Sequence, residues 1–315
     1  MWKFIRNWTL PLAMLTGALG YFLLAGFPFL NPLKPSILQT VEWLTPSLIF
    51  AQLLLTFCKM EPKDLKPCPW HGWLLAIQIL TSGLIALWLI SFPMEASFRI
   101  AFQGLMVCLI CPTATAAAVI THKLGGSAST LTTYTLLSNL MAAIIVPLVF
   151  PLVEPHAGLT FWAAFFKILG KVFPLLLSPF IVALLLRRFV PSAHRVLMAC
   201  HGAAFYLWAV ALVIVTGQTV RSLVTGAAPV SVELLVAFGG LLACAIQFFL
   251  GKRIGSAYDD RISAGQALGQ KNTVLAIWMA CTYLNPLSSV APGSYVIWQN
   301  LFNSWQLWKK RKGQD

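Results

Sequence analysis

Lys271, flanked by Gln270 and Asn272, places an ammonium in the interior of a long apolar stretch, 262–284. An ionisable group at that depth marks a functional site by default. The alternative is a lysine that snorkels to the headgroups, and its stem would have to cover about ten residues of helix rise. A second interruption, Cys111-Pro112-Thr113-Ala114-Thr115, falls inside the apolar stretch 97–122. Proline removes a main-chain donor and breaks the helical ladder, and lipid cannot satisfy the groups set free. Such a break survives only against protein or a water-filled cavity. Gln78, Thr135, Gln299 and Asn300 lie in neighbouring apolar stretches. Singly, each is explained by a helix–helix hydrogen bond. Together with the two breaks they outline a polar cavity. The start of a half-helix offers free N–H groups and a positive dipole end, and Lys271 adds a full charge, so the solute expected there carries a carboxylate or sulfonate. Thr113, Thr115, Asn272, Gln299 and Asn300 are the candidate solute-binding residues. Lys271, Gln78, Thr135 and Gln270 are the candidate cation-site or coupling residues.

These residues need elements that cross a bilayer. The chain is 58% hydrophobic and only 10% charged, with mean hydropathy +0.79, so lipid must be the solvent for most of it. Helical spans are predicted near 8–28, 36–57, 71–92, 97–122, 127–152, 160–186, 196–218, 230–250, 262–284 and 287–307. Each has roughly the ~20 apolar residues that a membrane helix requires. Prolines 112, 147, 174 and 179 predict kinks or interruptions. The basic start and apolar run 8–28 resemble a signal peptide but lack a clear cleavage site, and read as an uncleaved first span.

With the N-terminus inside, the cytoplasmic loops and the tail 308–315 hold 16 of the 22 basic residues. The opposite loops hold only Lys34, Arg99 and Arg221. This bias predicts cytoplasmic N- and C-termini and an even number of spans. The net charge of +13 is therefore a topology signal, not a nucleic-acid surface. Lys167 and Lys171 read as an interfacial basic stripe, and the tryptophans as interfacial anchors. His122 and His201 sit near span ends without an assigned role.

Ten spans divide into two sets of five, 8–152 and 160–307, within one transmembrane unit, 1–315. An odd-numbered repeat must insert with opposite topology in each copy. The interrupted spans, 4 and 9, are the fourth of each set, and matched breaks point to a transporter's binding site. No acidic residue falls at mid-span, so no carboxylate relay crosses the membrane. The seven cysteines do not form a disulfide scaffold. Cys108 and Cys111 are small apolar side chains on one helix face, and Cys58, Cys68 and His71 are too few for a zinc site. No metal or cofactor is expected. No span pairs a nucleophile with a base, so enzymatic activity is not expected.

At these motifs the chain resembles the bile acid:sodium symporter family. That family's fourth span carries Cys-Pro-Gly-Gly-x-x-Ser-Asn, followed by a Ser/Thr-rich fifth span. Here stand Cys111-Pro112-Thr113-Ala114-Thr115-Ala116-Ala117-Ala118 and Thr132-Thr133-Tyr134-Thr135-Leu136-Leu137-Ser138. The family's ninth-span Glu-Val-Gly-Met-Gln-Asn corresponds to Ala267-Leu268-Gly269-Gln270-Lys271-Asn272. The resemblance implies two inverted five-helix repeats. Spans 4 and 9 would cross at their breaks in a core domain of spans 3–5 and 8–10, opposite a panel of spans 1, 2, 6 and 7. The substrate cavity would lie at the crossing.

Carried over position by position, the sodium ligands of family members become Ala117, Ala118, Leu131 and Ala267. Thr135 remains, a lysine replaces the ninth-span Gln, and Gln78 matches a further Gln. The expectation is a secondary transporter for a small or amphipathic organic anion in a bacterial inner membrane. It would be sodium-independent, with the Lys271 ammonium in place of the cation, bonded to Gln78, Thr135 and carbonyls at the break. Three alternatives stay open: a non-transporting receptor, a sodium-coupled symporter, and a transporter of another solute such as arsenite. Against the last, the arsenite permeases place Pro before Cys, whereas here Cys111 precedes Pro112.

Overall fold

The computed structural model describes residues 2–155, 158–200, 202–226 and 228–313. His201 and the last two residues of the predicted tail lie outside them. The regular structure of the described residues is helical, with no named strand. In chain order the helices are α1 (Trp2–Gly26), α2 (Lys34–Cys58), α3 (Pro69–Ser91), α4 (Ala96–Ile110), α5 (Ala117–Leu124), α6 (Ala128–Val153) and α7 (Phe161–Phe189). They continue with α8 (Pro191–Ala199), α9 (Ala203–Thr225), α10 (Val230–Ser256), α11 (Arg261–Gly269), α12 (Thr273–Tyr283) and α13 (Val290–Lys312).

Among the described residues seven helices are long and apolar enough to cross a membrane: α1 from Trp8, α2 with the short turn before it, α3, α6, α7, α9 and α10. The chain is thus an all-helical polytopic membrane protein. The two interrupted stretches resolve into shorter helices, α4 with α5 and α11 with α12. Of the four prolines, only Pro112 interrupts a helix. Pro147 lies inside α6, and α7 runs through Pro174 and Pro179.

The predicted span 196–218 needs correction. A separate short helix, α8, occupies 191–199, and the apolar helix runs from Ala203 to Thr225. Pro191 is well suited to start a helix, and Gly202 at φ 87° stops its continuation into α9. Hydropathy alone is blind to both. The basic residues of the predicted tail, Lys309–Lys312, form the last turn of α13.

The chain divides into two compact units, Met1–Lys59 with Ser178–Ala227, and Met60–Leu177 with Ala228–Asp315. In the first, a Cβ at Gly17 would lie 2.3 Å from the Val213 carbonyl oxygen, so α1 and α9 pack with their backbones close together. The His194 ring meets the Cys58 carbonyl, Nε2 to O 3.0 Å, joining α8 to the end of α2. The second unit contains both breaks. Its centre is α10, where a Cβ at Gly240 would come within 2.2 Å of the Ala291 carbonyl of α13 and of Ser294 Oγ. Small residues of this kind let membrane helices approach where no hydrophobic effect drives them together.

Candidate solute site at the crossed breaks

Four half-helices end or begin where the two breaks meet. The unwound segments run antiparallel, with Thr113 opposite Lys271. The Ala114 N–H donates to the Gln270 carbonyl at 2.8 Å, and the Asn272 N–H donates to the Pro112 carbonyl at 2.9 Å. The backbone groups that the breaks set free are therefore partly paired with one another, as a low-dielectric surrounding demands.

The end of α4 presents carbonyls with no partner in the helix and the negative end of a dipole. Lys271 Nζ donates to the Leu109 carbonyl at 3.3 Å. Gln78 Nε2 donates to the carbonyls of Ile110 and Cys111 at 3.0 and 2.7 Å. The Tyr134 hydroxyl donates to Gln78 Oε1 at 3.0 Å, which fixes which end of the amide faces the helix. Lys271 is only 1% exposed, so its ammonium is enclosed by protein instead of reaching the surface.

The end of α11 is served by neutral groups. Thr113 Oγ1 donates to the Ala267 carbonyl at 2.7 Å, and the Tyr295 hydroxyl donates to the Gly269 carbonyl at 2.6 Å. Gln247 Nε2 supports this arrangement by donating to Tyr295 Oη and to the Cys108 carbonyl, each at 3.2 Å. The helix starts differ too. Asn272 Oδ1 accepts from the Leu275 N–H at 3.2 Å and caps α12, whereas α5 begins at Ala116 with no side-chain cap.

These contacts correct part of the expected site. Lys271 bonds to neither Gln78 nor Thr135. The Gln78 amide is spent on two carbonyls and Tyr134, and the Thr135 hydroxyl donates to Leu131 of its own helix at 3.0 Å. Thr113 and Gln299, expected at the solute, are buried and hold the breaks together. Ser138 Oγ donates to Thr113 Oγ1 at 3.4 Å, and Gln299 Oε1 accepts from the Lys271 N–H at 2.9 Å. Asn300 donates to Val296 within α13 at 2.6 Å. Thr115, Asn272 and Asn300 remain partly exposed. Gln270 Oε1 is buried without a hydrogen-bond partner.

The positions expected to have lost their ligands also come together. Ala117, Leu131 and Ala267 belong to one buried cluster with Trp70, Leu74, Tyr134, Ala264 and Leu268, and Ala118 packs against it. The sequence reading missed Trp70, Tyr134, Gln247 and Tyr295. The available signal was a tyrosine or glutamine within an apolar stretch, since a buried hydroxyl or amide needs a partner. Among the described residues no group of three or more His, Cys, Asp or Glu is placed to hold a metal ion.

All-helical, with seven helices fit to cross a membrane and two unwound segments that meet, the described residues define a polytopic membrane protein. The model of the Sodium Bile acid symporter family matches residues 46–226, more than half of the chain, and the protein belongs to that family. It is accordingly a membrane transporter. A relative from Bacillus subtilis (strain 168), named uncharacterized sodium-dependent transporter YocS, is 24% identical over 251 residues, 79% of this chain and 76% of the relative.

Proposed function

We propose that this transporter moves a small or amphipathic organic anion by alternating access, without sodium, and that the Lys271 ammonium does the work of a bound cation. The observation that carries this reading is the buried Lys271 Nζ on the Leu109 carbonyl. Carbonyls at the end of a half-helix are what a transporter uses to hold a sodium ion, and here they face a tethered charge. The apolar cluster around Ala117, Leu131 and Ala267 supports the same reading, because alanine and leucine stand where a second cation would need oxygen side chains.

The solute's anionic group would meet the uncapped start of α5, with Thr115, Asn272 and Asn300 beside it. Thr113, Gln299, Gln78 and Gln270 belong to the frame of the breaks. This reading includes ten spans as two inverted five-helix repeats, cytoplasmic termini and a bacterial inner membrane. It rests on the charge bias and on the matched breaks.

Sodium-coupled symport is the second reading, favoured by the name of the Bacillus subtilis relative. Thermal stability of the purified protein in sodium, potassium and choline at equal ionic strength separates the two. Equal melting temperatures in all three support the tethered cation. A sodium-specific rise establishes a surviving cation site and overturns it.

A further inference from the structure

At the end of α11 opposite its break, three cations converge without an acid. The stem of Lys252, near the end of α10, lies across Gly265 of α11, where a Cβ would be 2.6 Å from its Cγ. Gly265 therefore leaves the trough in which the stem rests. The ammonium emerges over the ring of Phe302 in α13, 4.7 Å from the centroid. Its charged neighbours are Arg261, which opens α11, and Lys309, which itself lies 5.6 Å from the Trp305 ring centroid. Among the described residues none of these three cations makes an ion pair. The nearby carboxylates do not serve them. Asp260 accepts from the Thr130 hydroxyl at 3.3 Å, toward α6, and Asp259 is exposed and unpaired.

Cations brought together by three separate helices repel one another, and such a cluster is stabilised by a counter-charge from outside the chain. The surroundings indicate what supplies it. Phe302 and Trp305 are 5.6 Å apart between centroids, and Trp305 and Trp308 are each 49% exposed. Exposed tryptophans beside basic residues at the ends of membrane helices are suited to the headgroup layer. We propose that the Lys252–Arg261–Lys309 cluster, floored by Phe302 and Trp305, binds the phosphate of an anionic phospholipid whose glycerol and acyl chains lie along the aromatic rings. A lipid phosphodiester brings the missing negative charge at the depth of the rings. Free phosphate brings the charge but has nothing to lay on the aromatic surface.

The test uses the full chain in mild detergent. Melting temperature is followed while phosphatidylglycerol, phosphatidylcholine or inorganic phosphate is added. Phosphatidylglycerol should raise it in a saturable way, and the other two should not. The paired substitution Lys252→Gln with Lys309→Gln should weaken the phosphatidylglycerol midpoint by roughly tenfold or more. It should leave the lipid-free melting temperature equal or higher, because repulsion is relieved. Arg261→Gln serves the same purpose should the pair fold poorly. Removing two cations elsewhere, Lys167→Gln with Lys171→Gln, should leave the midpoint unchanged. An equal response to phosphatidylcholine, an equal response to inorganic phosphate, or equal weakening by the remote pair would each overturn the proposal.

Discussion

Two neighbouring regions of the second unit meet the problem of buried polar groups in opposite ways. At the end of α4 the chain keeps the open carbonyls and supplies an ammonium and an amide to them. Between α3, α5, α6 and α11 it removes the polar groups and fills the space with Trp70, Leu74, Leu131 and Tyr134 against three alanines. A buried charge costs several kcal/mol that only its partners can offset, whereas an apolar filling costs nothing of the kind. The first region therefore looks selected for function and the second for packing. Tyr134 belongs to both. Its ring packs in the cluster, 5.9 Å from Trp70 between centroids, and its hydroxyl orients Gln78.

The comparison is broken most directly at Lys271. The substitution Lys271→Met should lower anion flux into liposomes, measured with taurocholate and small carboxylates, on the order of tenfold or more. Its melting temperature should stay level or rise, because the cost of burying a charge disappears. Flux retained in that variant would make the lysine dispensable and remove the contrast. Ala267→Glu tests the other region by placing a carboxylate in the apolar cluster. Alone it should destabilise the protein by roughly 3 kcal/mol, read as a lower melting temperature. Combined with Lys271→Gln, it should make the melting temperature rise in sodium but not in potassium or choline. Leu131→Ala should cost about 2–5 kcal/mol through the cavity it leaves, with little change in ion preference. The smallest effect is expected of Tyr134→Phe, about 1 kcal/mol from one lost hydrogen bond. A larger loss of flux than of stability there would show that the two regions are coupled through Gln78.

Much of this was legible in the sequence, for reasons that can be named. Apolar stretches longer than a bilayer core located the long helices, and Pro112 and Lys271 located the breaks, because both are costly in a continuous membrane helix. The partition at residues 191–203 was not legible, since a proline and a glycine reset the helix within a run of ordinary hydropathy. At the site, the types of residue were readable but their pairings were not. Gln78 was expected to face Lys271, and instead the two take consecutive carbonyls of the same helix end. Thr113 was expected at the solute, and nothing in the sequence signalled that its hydroxyl bonds to Ala267, 154 positions along the chain. Such choices depend on which acceptor lies within 3 Å after folding, and no periodicity encodes that.

The antiparallel contact between the unwound segments has a consequence for how this site changes over evolutionary time. Its two bonds join Ala114 to Gln270 and Asn272 to Pro112 through main-chain atoms alone. Side chains on either strand can be exchanged without undoing the seam, so long as each keeps its N–H or carbonyl. The seam thus behaves as a fixed socket with interchangeable fittings. Residues such as Thr115 and Lys271, and with them the solute or coupling proposed for them, can be altered while the crossing itself stays sewn.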